Sequence, residues 1–296
     1  MTRQSDGGAI LDINNINHVG LAVRSLSKTS AHYEAMGLQL TPYSPQSAAW
    51  RPGEAVQPLG SGNRCIMFQN TYLEILGSET PAQQAPRIEN FLKRHQGAHI
   101  ICFDCGDCNL VDRRLRGLGV ATSGVLPLQR EVDTPEGRRT ARFERVQFSP
   151  QHSPEGYIQA TRHLTPEYIY QPRYLEHPNG AFQLAEAVLL TDDLEGMAEK
   201  YSRYLAAPPV RTRESARFDL ALGTVLTILG LRYAENALRG TLFPPIPGIA
   251  AVTFRVTELD KTRKRLRAQG FTVTEINGRI MVPAEEASGV AVIFGT

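Results

Sequence analysis

The sequence has little of several features that mark particular classes of protein. It has four cysteines in 296 residues, too few for the disulfide framework of a small secreted domain. Lysine and arginine exceed aspartate and glutamate by only two, so no overall charge marks a nucleic-acid or membrane-surface binder. No apolar run approaches the ~20 residues of a membrane span. The N-terminal stretch MTRQSDGGAILD also lacks the apolar segment of a secretion signal. These absences predict a cytoplasmic protein without nucleic-acid or membrane partners.

What the chain does contain is one unit repeated four times. The segments HVGLAVRSLSKTSAHYEAMGLQL and AAVTFRVTELDKTRKRLRAQGFTV each read as a strand, a helix closed by glycine, and a second strand. Leu26 to Gly37 and Leu259 to Gly270 are both eleven residues apart. Two further copies begin near Ile100 and Ala185. The helices open near Ser, Asp or Thr and usually close on Gly, the asymmetry expected of helix caps.

The last strand of the unit repeats as well. TYLEILG (Thr71–Gly77) and TVLTILG (Thr224–Gly230) are identical at five of seven positions. A hairpin fits between helix and last strand, so the unit is βαβββ. A segment spaced by prolines separates the second copy from the third and reads as an ordered linker. The predicted domains are residues 12–164, a linker at 165–180, and a degenerate second pair of modules at 181–296.

Four βαβββ units in two pairs resemble the vicinal oxygen chelate superfamily, which includes the glyoxalases and extradiol dioxygenases. NHVGLAV, GNRCIMF, TYLEILG, and HLTPE followed by HPNGA are similar to its glyoxalase-like-domain proteins, and the resemblance covers nearly the whole chain from Ile16. It implies an α+β fold of four βαβββ modules, arranged as two paired-module, cup-shaped mixed sheets. It also implies one divalent ion in a cup, held by first and last strands, with positions open for a substrate's adjacent oxygens.

The cysteine-rich stretch AHIICFDCGDC (Ala98–Cys108) raises the question of a metal cluster. Counted back from the closing glycines, Cys108 and Cys105 fall where the sister units have mostly apolar residues, such as Leu26 and Val23. Free cysteine behaves as a small buried hydrophobe, so this register favours core positions. A metal cluster and a reactive thiol pair remain as alternatives.

The resemblance places the first-strand ligand at His18 and the last-strand ligand at Glu74. The same registers of the second unit hold Ile100 and Gln159. His163 lies four residues beyond Gln159 and shares its face if the strand continues. We therefore expect His18, Glu74 and His163 to bind a divalent Zn, Ni, Mn or Fe ion, with Gln159 as a weaker ligand.

His99 is a further, weaker ligand candidate. It lies one residue out of phase with Ile100, so its side chain should face away from the cup unless a β-bulge intervenes. A second departure from the family pattern is Arg51, which stands near a position where family members often have the histidine of a His-Pro-Gly segment.

The second pair of modules lacks the ligand pattern. Its equivalent registers hold Glu186, Thr227, Ala251 and Val292, so we expect it to be structural or to cover the first cup. In the extradiol dioxygenases that the chain resembles, the metal lies in the C-terminal half instead. This difference counts against a dioxygenase reaction.

The favoured function is a metal-dependent, glyoxalase-like lyase or isomerase acting on a small molecule with vicinal oxygens, with Glu74 as the catalytic residue. Arg51, Arg64, Tyr72 and Tyr157 are the expected substrate-binding residues. The alternative is a metal-free protein that sequesters a small molecule in the same cup. Either would be a monomer or a homodimer.

Overall fold

A computed structural model of the chain describes residues 12–49, 51–78, 85–149 and 151–296. Within these residues the chain forms sixteen β-strands and six α-helices. The N-terminal stretch that was expected to lack a secretion signal falls almost entirely in residues 1–11, outside the described part. None of the helices in the described part has the length and apolar character that a membrane crossing requires.

The first two modules are joined by an extra helix, α2. In chain order the elements are β1 (Ile13–Ala22), α1 (Leu26–Ala35), β2 (Ser44–Ala48), β3 (Gln57–Met67), β4 (Tyr72–Gly77), α2 (Pro86–Arg94), β5 (Gly97–Cys105), α3 (Cys108–Gly117), β6 (Thr122–Thr134), β7 (Gly137–Phe148) and β8 (Tyr157–His163).

The last two modules follow two short 3-10 helices, Pro166–Tyr168 and Pro172–Tyr174. Their elements are β9 (Ala181–Thr191), α4 (Leu194–Leu205), β10 (Val210–Arg211), β11 (Ser215–Asp219), β12 (Val225–Gly230), a 3-10 turn (Leu231–Tyr233), α5 (Ala234–Ala237), β13 (Gly248–Val256), α6 (Leu259–Ala268), β14 (Thr274–Ile276), β15 (Arg279–Val282) and β16 (Ala291–Gly295).

Local sequence sets the bounds of the module helices. A side-chain oxygen accepts a hydrogen bond from a backbone N–H of the first turn at the N-caps of three of them, Ser25, Asp107 and Asp193. After α1, α3 and α6 the chain turns through glycines with φ of +88°, +72° and +83°, namely Gly37, Gly119 and Gly270. Helix α4 ends instead at Ala206, which adopts the left-handed conformation without a glycine.

The first eight strands close into a barrel in the order β1-β4-β3-β2-β6-β7-β8-β5. Two antiparallel seams join its modules. One pairs β1 with β5 and sets His18 opposite Cys102. The other pairs β2 with β6 and sets Gln46 opposite Arg130. Closure gives the barrel an interior face that every strand shares.

The second eight strands remain an open sheet in the order β10-β11-β12-β9-β13-β16-β15-β14. Its centre repeats the first half, because β9 pairs with β12 in parallel and with β13 antiparallel. Its edges are β10, with two residues, and β14, with three, which are shorter than the strands that close the barrel. The expected α+β fold of paired βαβββ modules is confirmed, with one cup closed and the other open.

The two sheets pack on one shared hydrophobic cluster. It draws on both, including Phe68 from the first half and Phe254 from the second, whose rings lie 5.5 Å apart. The expected domain boundary at 165–180 therefore separates two sheets that share a core, and the independence of the two parts stays a prediction.

The threonine that opens each repeated last-strand motif ties one half to the other. Thr71 Oγ1 accepts a hydrogen bond from the Leu184 N–H of β9, 3.1 Å away. Thr224 Oγ1 accepts one from the Ile16 N–H of β1 at 2.8 Å and donates one to Asn15 Oδ1 at 2.7 Å. The contacts are related by the symmetry of the repeat, which explains why both motifs begin with threonine.

The linker is held against the first half by polar side chains. His177 Nδ1 accepts a hydrogen bond from the Gln39 N–H at 2.9 Å, and its Nε2 lies 2.9 Å from the carbonyl oxygen of Met67. Asn179 donates from its side chain to the carbonyl oxygen of Met36 at 3.1 Å. These bonds make the linker an ordered part of the fold, as its spaced prolines predict.

Replacing the buried Thr224 hydroxyl should measurably weaken the joint between the halves. Thr224→Val leaves the Ile16 N–H and Asn15 Oδ1 without this partner, which should lower the free energy of unfolding by about 1–3 kcal/mol. Thr224→Ser keeps the hydroxyl and should recover most of the loss. Urea unfolding of the three proteins provides the measurement. Equal midpoints for the valine variant and the parent would contradict the assignment.

Candidate active site in the first barrel

A cavity in the barrel interior is lined by side chains from the inward faces of all eight strands and from the first turn of α2. Its charged and ligand-capable members are His18, Glu74, Arg87, Arg130, Arg145 and Gln159. Apolar side chains, among them Ile100, Leu128 and Phe143, form another part of the wall. The site therefore belongs to the first pair of modules, where the sequence places it.

Glu74 lies at the centre of a polar network. Its strand β4 pairs with β1 on one side and with β3 on the other, which turns the carboxylate into the barrel. Oε1 accepts hydrogen bonds from Gln46 Nε2 at 2.9 Å and from Asn63 Nδ2. Arg130 in turn donates from Nη1 to Asn63 Oδ1 at 2.7 Å. One carboxylate oxygen is thus fixed, while Oε2 is left to face His18.

His18 is oriented by its neighbour Asn17. Asn17 donates from its side-chain nitrogen to Tyr170 and Asp104, which leaves its Oδ1 as an acceptor 2.8 Å from His18 Nδ1. Nδ1 therefore carries the proton, and Nε2 presents a lone pair. Burial lowers the pKa of His18 to about 3, and the charges of Arg130 and Arg87 lower it as well. The imidazole is neutral at ordinary pH.

Two acceptors consequently face each other in the cavity. His18 Nε2 and Glu74 Oε2 are 3.7 Å apart, and both side chains are 7% exposed. Opposed lone pairs in a buried site are unfavourable unless a proton or a cation lies between them.

Gln159 adds a third acceptor. Its nitrogen donates to Cys102 Sγ at 3.4 Å, while its Oε1 is buried and has no partner among the described residues. His18 Nε2, Glu74 Oε2 and Gln159 Oε1 therefore fit a divalent ion held by three nitrogen and oxygen ligands with open positions. The fit depends on the amide, because no group of three His, Cys, Asp or Glu residues in the described part of the chain could hold a metal. The fourth register holds the apolar Ile100.

His163 does not join this set. It lies on the barrel strand of Gln159, but four residues further along, a distance of about 13 Å at ~3.3 Å per residue. Its ring packs on Phe143 at 4.8 Å and Tyr170 at 5.4 Å, with Tyr72 6.3 Å away. His163 does not line the cavity, although its Nδ1 lies 3.5 Å from Asn17 Nδ2, the residue that orients His18. Its Nε2 is buried and has no hydrogen-bonding partner among the described residues. Its role as a ligand stays a prediction.

His99 also lies elsewhere. Its side chain faces the opposite side of β5 from Ile100, with Nε2 2.9 Å from the carbonyl oxygen of His95 and the ring stacked on Phe91 at 4.8 Å. The β1–β5 pairing does skip a residue at this point. That irregularity does not turn the imidazole into the barrel, so the weaker ligand candidate is corrected.

Of the four expected substrate-binding residues, two lie at the cavity and two lie away from it. Tyr72 lines the cavity and stacks on His18 at 4.5 Å between ring centres. Tyr157 lies beside it, where its hydroxyl accepts a hydrogen bond from Arg145.

Arg51 and Arg64 lie away from the cavity. The Arg51 side chain is 83% exposed and its guanidinium is 4.0 Å from Glu54. Arg64 donates to the carbonyl oxygen of Thr41 at 2.9 Å and pairs with Glu34 at 3.3 Å. Adjacent strand residues face opposite ways, and Arg64 follows the inward Asn63, which explains its outward course.

Six polar residues at the site were not predicted from the sequence: Gln46, Asn63, Arg87, Arg130, Arg145 and Thr161. Each arginine lies in a stretch where charged and apolar residues mix, and such a stretch reads equally well as a solvated face. Only barrel closure distinguishes the interior face of β6 and β7 from the exterior.

The second sheet holds a satisfied carboxylate at the position equivalent to His18. Glu186 accepts hydrogen bonds from Thr227 at 2.6 Å, Thr253 at 2.9 Å and Arg279 at 2.9 Å. Two hydroxyls and a guanidinium meet the charge and hydrogen-bonding needs of this carboxylate.

The cysteines are free and buried. Cys105 and Cys108 lie in the shared hydrophobic cluster with their sulfur atoms 3.4 Å apart, as the repeat register predicts. Cys102 faces the barrel interior beside Gln159.

Comparison with known proteins follows the geometry. Residues 16–205 match the profile of a family described as the glyoxalase-like domain. No match to the sequence was found among curated proteins.

Solved structures resemble the chain along nearly its whole length. A hypothetical protein from Staphylococcus aureus aligns with a TM-score of 0.63 at 12% identity, over 95% of this chain and 98% of that one. A triple mutant of 4-hydroxymandelate synthase from Streptomyces coelicolor aligns with a TM-score of 0.53 at 12% identity, over 95% and 92%. A fusion of a xylose isomerase-like TIM barrel with 4-hydroxyphenylpyruvate dioxygenase gives 0.57 at 9% identity, over 96% and 49%. At these identities the likeness shows the fold alone.

Burial of His163 should make the protein sensitive to mild acid. Burial lowers the pKa of His163 to about 3, against an ordinary value of 6.5. Between these values the unfolded chain binds the extra proton, so stability falls as the pH drops from 6.5 towards 3. One such group contributes at most about 1.4 kcal/mol per pH unit.

Urea unfolding at pH 7 and pH 4.5 measures this dependence. His163→Gln should show a smaller loss of stability between the two pH values than the parent. His32→Gln serves as the control for replacing an exposed imidazole. An unchanged pH dependence in His163→Gln would show that this residue is not the source.

Proposed function

Because the chain belongs to the glyoxalase-like domain family, we propose that its first barrel is the active site of a metal-dependent lyase or isomerase. The substrate would be a small molecule with adjacent oxygen atoms. The supporting observation is the opposition of His18 Nε2 and Glu74 Oε2 at 3.7 Å in a buried cavity. A divalent ion held by these atoms and Gln159 Oε1 would relieve it.

When bound, such an ion supplies a Lewis acid that polarises a substrate oxygen. The neutral imidazole of His18 is oriented by its hydrogen bond with Asn17 and stacks on the ring of Tyr72. Glu74 would be the base that takes a proton from a carbon bearing a hydroxyl group and returns it to the adjacent carbonyl carbon, while the hydroxyl proton passes to the former carbonyl oxygen. Gln46 and Asn63 hold one oxygen of Glu74, so the carboxylate keeps its aim during the transfer.

The second candidate function is metal-free binding of the same class of small molecule. Ile100 favours it, since an apolar side chain occupies one of the four registers from which the family supplies ligands. The amide of Gln159, a weak neutral ligand, favours it too.

Metal-dependent chemistry in the second half receives no support. The Glu186 carboxylate is already saturated by Thr227, Thr253 and Arg279. We therefore propose the first barrel rather than the C-terminal position expected of an extradiol dioxygenase.

Metal content separates the two candidate functions. Protein purified without an affinity tag should carry close to one equivalent of a divalent ion, measured by elemental analysis after dialysis. Glu74→Ala should lose it, because the ion is left with one imidazole and one amide. Glu186→Ala is the matched control, a partly buried carboxylate on the equivalent strand of the other sheet, and should retain the metal.

Supply of nickel, zinc, manganese and iron before dialysis tests the negative result. If the parent then still contains no metal, the catalytic-metal proposal is wrong and metal-free binding takes its place. If Glu74→Ala and Glu186→Ala lose metal equally, the ion lies elsewhere and the assignment of the site is wrong.

A further inference from the structure

Three guanidinium groups converge on the cavity from three different elements. Arg87 comes from α2, Arg130 from β6 and Arg145 from β7. The side chains of Arg130 and Arg145 are almost fully buried, at 6% and 5% exposure of the residue. Buried arginine is uncommon unless it is paired with an anion.

The charges of the cavity do not balance. Among the lining side chains the three arginines contribute three positive charges and Glu74 contributes one negative charge. The lining therefore carries an excess of two positive charges in a region where charge is poorly screened. Binding of a divalent ion would increase that excess.

Protein partners leave many of the arginine donors unused. Each guanidinium has five N–H groups. Arg130 hydrogen-bonds only through Nη1, to Asn63 Oδ1 and Cys65 Sγ, and Arg145 bonds Tyr157 and the Ala49 carbonyl oxygen.

Arg87 makes no hydrogen bond to any described residue. It lies instead over the aromatic ring of Tyr157, 4.9 Å from the ring centre, and near that of Phe91. Burial lowers the pKa of Arg87, while the nearby Tyr157 and Glu74 raise it and Arg145 lowers it. The group is therefore held in place by stacking, with its donors available to a ligand.

Another part of the wall is apolar, and with a free volume of about 30 Å³ the lining side chains have to move apart to admit an organic ligand. Ile100, Leu128 and Phe143 line the cavity beside the arginines. A molecule with two negative charges and a short apolar body would meet both surfaces, because arginine forks bind carboxylate and phosphate oxygens in pairs.

We infer that the ligand of the first barrel is a small organic dianion, a dicarboxylate or a phosphate monoester, seated by Arg87, Arg130 and Arg145. The inference deepens the proposed function, since it concerns the substrate class of the same site, but dianion binding does not require the metal. Arg87 is the specificity-determining residue, since its guanidinium lacks another hydrogen-bonding partner in the described part of the chain.

The first experiment measures ligand-induced thermal stabilisation of metal-stripped protein. Malonate and succinate probe dicarboxylates, glycerol phosphate probes phosphate monoesters, and malonamide is the neutral counterpart. We expect one dianion series to raise the unfolding temperature in a saturable way and malonamide to leave it unchanged. The more effective series identifies which anionic group the arginines recognise.

The second experiment tests the arginine itself. Arg87→Met keeps an apolar stem over Tyr157 but removes one uncompensated charge, so the ligand-free variant should unfold at a temperature equal to or above that of the parent. Its affinity for the effective dianion should fall at least about tenfold, the value of a charged hydrogen bond. Arg142→Met, from the exposed face of β7, is the control and should bind as the parent does.

Two results would overturn the inference. One is failure of every dianion to stabilise the parent more than malonamide does. The other is an Arg87→Met variant that unfolds earlier yet binds the dianion with parental affinity, as expected of a structural residue. Both are independent of the metal analysis of Glu74→Ala, so loss of the metal proposal and loss of this inference would be distinguishable.

Discussion

Pairing of β2 with β6 is the constraint on which the site depends. This seam closes the first eight strands and sets Gln46 opposite Arg130 across its antiparallel register. Gln46 then reaches Glu74 directly, and Arg130 reaches it through Asn63. The second sheet has no corresponding seam among the described strands, since β10 and β14 lie at opposite edges. One fold repeated twice thus encloses a cavity only once.

Strand β2 also lies very close to its other neighbour, β3. A Cβ atom at Gly62 would lie 2.4 Å from the carbonyl oxygen of Ser44, so the bulge between β2 and β3 requires glycine there. Gly62 lies within β3 and therefore serves sheet geometry. Asn63 is the next residue of β3, and its side-chain amide donates a hydrogen bond to Glu74.

The two halves meet the hydrogen-bonding needs of an inward strand carboxylate in opposite ways. In the second sheet, Glu186 receives two hydroxyl donors and the Arg279 guanidinium, and its needs are met within the protein. In the barrel, Glu74 has amide donors on one oxygen and the lone pair of His18 facing the other. Buried acceptors and arginine donors that lack protein partners favour the binding of an ion or a small-molecule ligand. The second half instead contributes core, through contacts such as Thr224 with Ile16.

Most of the fold was predictable because the same βαβββ pattern occurs four times in the sequence. The capping residue Ser25 and the closing Gly37 reappear with the same roles in later modules, so one correct reading supports the others. The site was predictable only in part. His18 and Glu74 come from the strands that carry the family motifs. His163 shows the limit of phase arguments, since residues on one strand face still lie about 13 Å apart when four positions separate them.

The sequence by itself determined the βαβββ unit, its fourfold repetition, and the equivalent strand registers of His18, Glu74 and Gln159, because strand alternation and helix caps are local properties. Tertiary structure alone decided that the first sheet closes and the second does not. It also decided that Arg87, Arg130 and Arg145 meet around Glu74. The physical reason is that alternation along a strand distinguishes its two faces but not which of them becomes the inside of a barrel, and that choice depends on pairing between strands about eighty residues apart.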